Sequence, residues 1–338
     1  MYVVRPIVAS DEQSLYEIAC ASGHGFTSLP TNEAQLSEKI KHSVASFQAE
    51  VVTPDDEFYM MVLEESNTSK VIGTCGLVGA VGRRDAFYHY RVGTETFHSQ
   101  EHQVHQEVQT LTLCHDYTGS SELCSLFLYP EYRQTMYGRL LSRSRFLFMA
   151  GHRARFGDRV IAEMRGVSDT TGFSPFYDWL QNHFLQLDFK RADYLSGMGQ
   201  KTFIAELMPR HPLYVPLLPQ AAQAVIGQVH QQTQPALKLL QAEGFNFQGY
   251  VDIFDGGPTV ECATNKINSV DLSQRCAVEV SAVESESIYL ISNERCSGYR
   301  AVMVTATIKE DKHTMLMTPE TAAALDVVSG DMVRVIKQ

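Results

Sequence analysis

The chain has 338 residues, a net charge of −11, and ordinary globular shares of 44 % apolar and 20 % charged residues. With no long Lys/Arg run it is not read as a nucleic-acid binder, although one local basic pocket for a phosphorylated ligand is compatible with the charge. No apolar run reaches spanning length, and the start, MYVVRPIVASDEQSLYEIACASG, lacks the basic-then-apolar layout of a signal peptide. The seven cysteines form no C-x-x-C pair, which fits reduced thiols in a cytosolic protein better than a disulfide framework.

MYVVRPIVAS alternates as a short strand, and the helical spacing of Leu15, Ile18 and Ala19 follows, with Ser10 as N-cap. GHGFTSLPTNE is a loop, and Thr31 or Asn32 caps a second helix. EFYMMVLEE, KVIGTCGLVGAVG and AFYHYRVGTETF read as successive strands, the first two joined by the turn SNTSK. SELCSLFLYPEYRQTMYGRLLSRSRFLFMAGHRARF is an apolar strand, a polar turn and a long amphipathic helix; RVIAEMRGV is another buried strand.

Two stretches then share one layout of strand, polar loop, proline, helix, aromatic and strand. They are RVIAEMRGVSDTTGFSPFYDWLQNHFLQLDF and AVIGQVHQQTQPALKLLQAEGFNFQGYVDIF. Aligned on their first strands, Arg165 and His230 occupy the same exit position, so both strands are expected to end near one cleft. From about residue 270 short strand-like runs dominate. The expected architecture is α/β: a main domain over residues 1–265, containing the repeated unit 160–255, and a small β-rich piece over 270–338.

The unit after SELCSLFL carries the clearest chemistry. A strand that turns into a helix N-terminus offers unpaired N–H groups and the positive end of a macrodipole, which suits a phosphate. Arg133 opens the turn and Gly138 lets a ligand approach the backbone. Arg139, Arg143 and Arg145 add positive charge, or lie on a solvated helix face. HSQEHQVH places His98, His102 and His105 at i, i+4 and i+7, one face if helical. Glu101 and Glu107 would point elsewhere, so no metal site is assigned.

On these residues the chain resembles GNAT-type N-acyltransferases, whose acyl-CoA motif is similar to LYPEYRQTMYGRLL. It resembles bacterial arginine N-succinyltransferases along nearly its whole length, in GFTSLPTNE, YRVGT, HDYTGSSELCSLFL, GRLLSRSRFLFMA, VIAEMRGVSD, GQKTFIAELMPRHPLY, QAVIGQVH and GYVDIFDGGPTVE. The resemblance implies a GNAT-like mixed sheet flanked by helices, extended by the second strand–helix–strand unit. It also implies a cytoplasmic enzyme of arginine catabolism that moves succinyl from succinyl-CoA, a co-substrate, to the α-amine of L-arginine, without a metal. Leu126 then contributes to succinyl-CoA binding, and His230 matches the catalytic histidine.

A succinyl carboxylate calls for an arginine, Arg91 or Arg165, and a substrate guanidinium for a carboxylate, Glu122, Glu163 or Asp116. Ser28 belongs to the substrate-facing loop GFTSLPTNE. Met136 stands where such CoA loops have their first glycine, and either narrows the approach or points outward. Tyr177 and Cys124 are read as packing. The alternatives are the same transfer to ornithine, or a non-catalytic acyl-CoA-binding chain of a hetero-oligomer; a symmetric assembly is the prior for a metabolic enzyme.

Overall fold

A computed structural model describes every residue except 24–27, 134, 170, 189–190, 193–194, 196–201, 284–285 and 311–312. Parts of GFTSLPTNE and GQKTFIAELMPRHPLY lie outside the described residues. The fold is α/β, built on one mixed sheet of 16 strands among the described residues.

The first strand, β1 (Tyr2–Pro6), leads into helices α1 (Glu12–Ser22) and α2 (Glu33–Gln48). Ser10 does not cap α1. The carboxylate of Asp11 takes that corner instead, accepting from Val8 N–H and bonding Arg5, which also pairs with Glu64. Asn32, rather than Thr31, caps α2 by accepting from Gln35 N–H. Strands β2 (Phe58–Glu65) and β3 (Lys70–Val78) form the expected hairpin.

Strands β4 (His89–Ser99) and β5 (Val104–Cys114) form a long hairpin, which overturns the helical reading of HSQEHQVH. His98 and His105 are a cross-strand pair with ring centroids 6.2 Å apart, and His102 lies in the turn. The period of 3.5 was present, but unbroken pairing of the flanking residues governs this segment.

At the centre, β6 (Ser121–Leu128) turns into α3 (Tyr137–Gly151), and β7 (Arg159–Glu163) follows. Leu123 and Leu128 of β6, Val160 and Ala162 of β7, and Leu140, Leu141, Phe146 and Phe148 of α3 share one core. Each such side chain contributes about 1.5–3 kcal/mol on burial, so α3 is held flat on this face. The opposite face of β2 and β6 packs against α1 and α2 through Phe58, Met60 and Phe127. Alternation along the strands thus separates two faces of the sheet.

The segment 224–230 is not a strand. Past the short helix Gln220–Gln223 it makes a single bridge, Val229 to Gly166. Gly227, in the left-handed region at φ 72°, turns the chain there. Helix Gln234–Ala242 then leads to β9 (Asn246–Val251) and β10 (Pro258–Ala263), and β10 pairs with β7. α4 (Pro175–Leu180) packs on a separate core with Tyr90, Leu111 and Val251.

The last strands, among them β11 (Gln274–Val280), β12 (Ile288–Asn293), β13 (Ala301–Thr305) and β16 (Met332–Lys337), enclose their own core. They are not merely packed on the rest, because β13 pairs with β1 and extends the same sheet. The Tyr299 hydroxyl also donates to Ser144 O of α3 at 2.6 Å.

The turn between β9 and β10 leaves no room for a side chain at Gly257, where a Cβ would stand 2.2 Å from Met164 O and 2.5 Å from Gly166 N. Both are backbone atoms that cannot swing away. Gly257→Ala is expected to lower stability by about 3 kcal/mol, seen as a lower urea midpoint with unchanged slope.

Candidate active site

The parallel strands β6 and β7 pair at Ser121 with Val160 and at Glu122 with Ile161, and beyond that they part. Two local features drive them apart. β6 carries a bulge, with Ser125 at φ 52° and the register against β3 slipping between Thr74 and Gly76. A bulge adds twist and re-aims the residues after it: Cys124 packs toward α1 and α2, whereas Leu126 packs toward α3.

β7 is drawn the other way. Met164 N–H donates to Pro258 O, and Gly166 N–H donates to the Asp255 carboxylate at 2.6 Å. That carboxylate also accepts from Gly257 N–H, while Asp252 accepts from the N–H groups of Phe254 and Asp255. Burial and the neighbouring Asp252 charge push Asp255 up to about 8. The two aspartates of DIFDGG therefore clamp the exit of β7.

His230 sits on that clamped exit. Its N–H donates to Arg165 O at 2.8 Å, so the two positions aligned in the sequence repeat are brought into direct contact. His230 caps a short 3-10 turn rather than ending a strand: its Nδ1 accepts from Gln232 N–H at 3.1 Å. With Nδ1 accepting, the hydrogen of the neutral ring is carried on Nε2. Burial and the positive charge of Arg165 lower the His230 pKa, against a backbone contact with Ser168 that raises it. The half-buried ring is therefore neutral at pH 7.

Arg165 bonds Ser168 Oγ at 2.9 Å, and its buried Nε has no partner among the described residues. Burial lowers its pKa, with Asp255 acting in the opposite sense. Met164 packs on the α3 side, which leaves Arg165 to the other face. That face is also the one of Glu122 and Glu163: Glu122 is level with Ile161, Glu163 lies opposite Thr259, and Glu261 lies opposite Ile161. Three carboxylates thus share one face within two rows of the sheet.

Arg91 is removed from this group. It is exposed on β4, opposite Tyr250, with its guanidinium 4.0 Å from Asp116. Asp116 in turn accepts from the Tyr250 hydroxyl at 3.1 Å and so serves a local polar cluster. In that cluster His89 is wholly buried, accepts from Asp116 N–H at 3.2 Å, and is pushed down to about 4 by burial. His89, Cys114 and Asp116 have ligand atoms within 4.8 Å of one another, but Arg91 and Tyr250 already hold the carboxylate. Ser28 is half-buried just past residues 24–27.

At the same carboxyl end of the parted strands, beyond β6, α3 begins at Tyr137. Arg133 is exposed, its Nε donating to Leu128 O at 2.8 Å, and Arg139 is exposed one turn on. A Cβ on Gly138 would find its nearest neighbour, Leu128 Cδ2, at 3.9 Å, so the backbone there is open to a ligand. Met136 is exposed and points outward. Arg143 does not add a free charge: it pairs with Glu243 at 2.7 Å and bonds Ser269. Arg145 is not on a solvated face either; it is 2 % exposed.

Tyr177 is buried and donates to Leu187 O at 2.9 Å, as packing requires. Burial first, and then the charge of Glu122, push the Cys124 thiol up to about 12, which makes it no nucleophile. Sequence reasoning missed Asp252 and Asp255, although two aspartates inside the apolar VDIFDGG were a signal. It also misread Arg145, whose burial no local pattern announced.

The family model described as arginine N-succinyltransferase beta subunit matches residues 2–269, and that of the C-terminal domain of the same subunit matches residues 274–337. Arginine N-succinyltransferase of Yersinia enterocolitica is 45 % identical, over 99 % of this chain and 97 % of that one. The protein of the same name from Escherichia coli strain K12 / DH10B is 45 % identical over 100 % and 98 %. The solved structure of arginine/ornithine succinyltransferase subunit AI from Pseudomonas aeruginosa superposes with a TM-score of 0.91 at 37 % identity, covering 100 % of this chain and 98 % of the other.

The His230 ring is expected to titrate below its ordinary value of about 6.5 when followed by NMR. Arg165→Met removes one of the two causes and is expected to move that titration upward; an unchanged midpoint would show that Arg165 does not act on the ring.

Proposed function

The chain belongs to the arginine N-succinyltransferase family, and on that footing we propose that it carries succinyl from succinyl-CoA to the α-amine of L-arginine. The products are N2-succinylarginine and CoA. The observation that carries the reading is the pair of parted parallel strands, with a helix N-terminus following β6 and a neutral histidine at the exit of β7, both on the carboxyl side of the sheet.

The first turn of α3, with Gly138, Arg133 and Arg139, receives the pyrophosphate of CoA. The pantetheine arm then runs between β6 and β7, where parting leaves strand edges able to bond its amides. Leu126, turned by the bulge toward α3, lines this path. The acceptor arginine takes the opposite face. Its α-amine and α-carboxylate are neighbours, so the group that holds the carboxylate must adjoin the one that handles the proton. Arg165, bonded through its backbone to His230, meets that condition, and Arg91 does not. Arg165 is thereby assigned to the acceptor rather than to the succinyl group. Glu163 lies two residues earlier, about 6.6 Å along the strand, which matches the reach of an extended arginine side chain; Glu122 stands on the same face.

An α-ammonium with a pKa of about 8 must lose a proton before its nitrogen attacks the thioester carbon. That first proton goes to solvent; His230 then accepts a second proton from the attacking nitrogen at Nδ1 as the C–N bond forms, which exchanges the Gln232 amide for the substrate. As the C–S bond of the tetrahedral intermediate breaks, Nε2–H protonates the departing thiolate and the ring is neutral again. No acyl-enzyme forms. Direct transfer needs neither metal nor organic cofactor beyond the co-substrate. Among the described residues no helix is long and apolar enough to cross a membrane, and consumption of succinyl-CoA is consistent with a cytoplasmic enzyme.

His230→Ala is expected to lower turnover by roughly a hundred- to ten-thousand-fold while CoA affinity is kept, in an assay of thiol release with L-arginine, L-ornithine and L-lysine compared. Preference for ornithine would move the acceptor and keep the mechanism; no release with any amine would leave only acyl-CoA binding.

Arg165→Met is expected to raise KM for L-arginine about tenfold or more, as loss of a charge-assisted bond implies. KM for L-argininamide, which lacks the carboxylate, should change little. An equal effect on both acceptors would remove Arg165 from the carboxylate site.

A further inference from the structure

Arg145 stands in the middle of α3 and is among the largest fully buried side chains of the protein. Its hydrogen bonds run back to its own helix, Nε to Ser142 O and Nη2 to Ser142 Oγ, both at 3.1 Å. Among the described residues no carboxylate bonds to it. The groups that act on its charge are the thiols of Cys75 and Cys124. Burial pushes these up to about 11 and about 12, so both are neutral at pH 7 and supply no counter-charge. A guanidinium shut away without an anion is costly, and a fold that keeps one needs an anion from elsewhere.

The place of this cation identifies the anion. Cys75 lies between the residues paired with Cys124 and with Phe127, and so stands across from the bulge of β6 at Ser125 and Leu126. Arg145 is thus level with the bulge, on the α3 side, beside the strand that leaves β7. It lies eight residues into α3, about 12 Å from the helix N-terminus. An acyl-CoA whose pyrophosphate sits at that N-terminus sends its thioester inward along the parted strands. The acyl chain then points past Leu126 toward Arg145.

We propose that Arg145 receives the free carboxylate of the acyl group and so selects a dicarboxylic acyl donor. This rests on the reading of the chain as a succinyl-CoA-dependent transferase. It divides the two anionic ends between the two faces of the sheet: the acyl carboxylate goes to Arg145 on the α3 side, and the amino-acid carboxylate to Arg165 on the other.

The test compares succinyl-CoA with butyryl-CoA, which has the same number of acyl carbons and no carboxylate. In wild type, kcat/KM favours succinyl-CoA. In Arg145→Met that value is expected to fall about a hundredfold or more, with butyryl-CoA unchanged or improved. Thermal melting provides a reading apart from turnover. Succinyl-CoA should raise the wild-type midpoint more than butyryl-CoA does, and the two shifts should become equal in Arg145→Met. The unliganded variant should melt no lower than wild type, because a buried unpaired cation has been replaced by an apolar chain of similar length.

Equal losses with both donors, or intact discrimination in a folded Arg145→Met, would overturn the proposal. Should Arg145→Met not fold, Arg145→Gln is read in the same way, and failure of both to fold would make the cation structural and overturn it. Absence of thiol release by wild type with any acyl-CoA would strike at the transferase reading instead, and is told apart by that control.

Discussion

Everything at the site depends on two parallel strands that begin paired and do not stay so. Had β6 and β7 continued side by side from Glu122 and Ile161, their edges would have satisfied each other and left no room for a ligand arm. The bulge at Ser125 bends one strand, and the aspartate clamp at Gly166 holds the exit of the other. Neither feature is strong alone. Because α3 is packed flat on the paired half and β10 grips the whole of β7, the parting is confined to the end where chemistry is needed.

The same parting assigns tasks to faces. Side chains on a strand alternate, so Leu126 and Met164 look toward α3, while Glu163 and Arg165 look away from it. In the proposed reaction a donor anchored at the N-terminus of α3 is kept on one side of the sheet and an acceptor on the other, and they meet where the strands separate, beside His230. The histidine is fixed from its backbone by Arg165 and from its ring by Gln232, and burial with a neighbouring cation keeps it neutral. A neutral imidazole is the form that can accept a proton from an ammonium ion, which is why a lowered pKa suits this position.

Stability and function pull in opposite directions at three positions. Asp255 holds a carboxyl in surroundings that favour its protonated form, yet it supplies both acceptors for Gly166 and Gly257. Among the described residues Arg165 keeps a buried nitrogen without a partner, and Arg145 a buried guanidinium bonded to its own helix and to no carboxylate. Such groups are expensive in an apoprotein and are the ones a bound anion or cation would satisfy.

Much of this was legible in the residues. Apolar runs announced β2, β3 and β6, helical spacing announced α1 to α3, and the proline-and-glycine turn after SELCSLFL announced a strand running into a helix start. The repeated layout aligned Arg165 and His230, whose backbones the structure brings into contact, although the second stretch is a turn and a single bridge. Local pattern determined these features because propensity and alternation are properties of neighbours in sequence. It failed where distant segments decide. HSQEHQVH has helical spacing but is paired along its length as a hairpin. Arg145 has the look of a surface helix residue, and only the packing of α3 against β3, β6 and β7 buries it. Arg91 and Arg165 are equivalent as letters; the strand order separates them, putting one opposite Tyr250 and the other against the backbone of His230. Which charges are solvated and which lack partners is set by contacts between residues far apart in the chain, and so tertiary structure alone decided them.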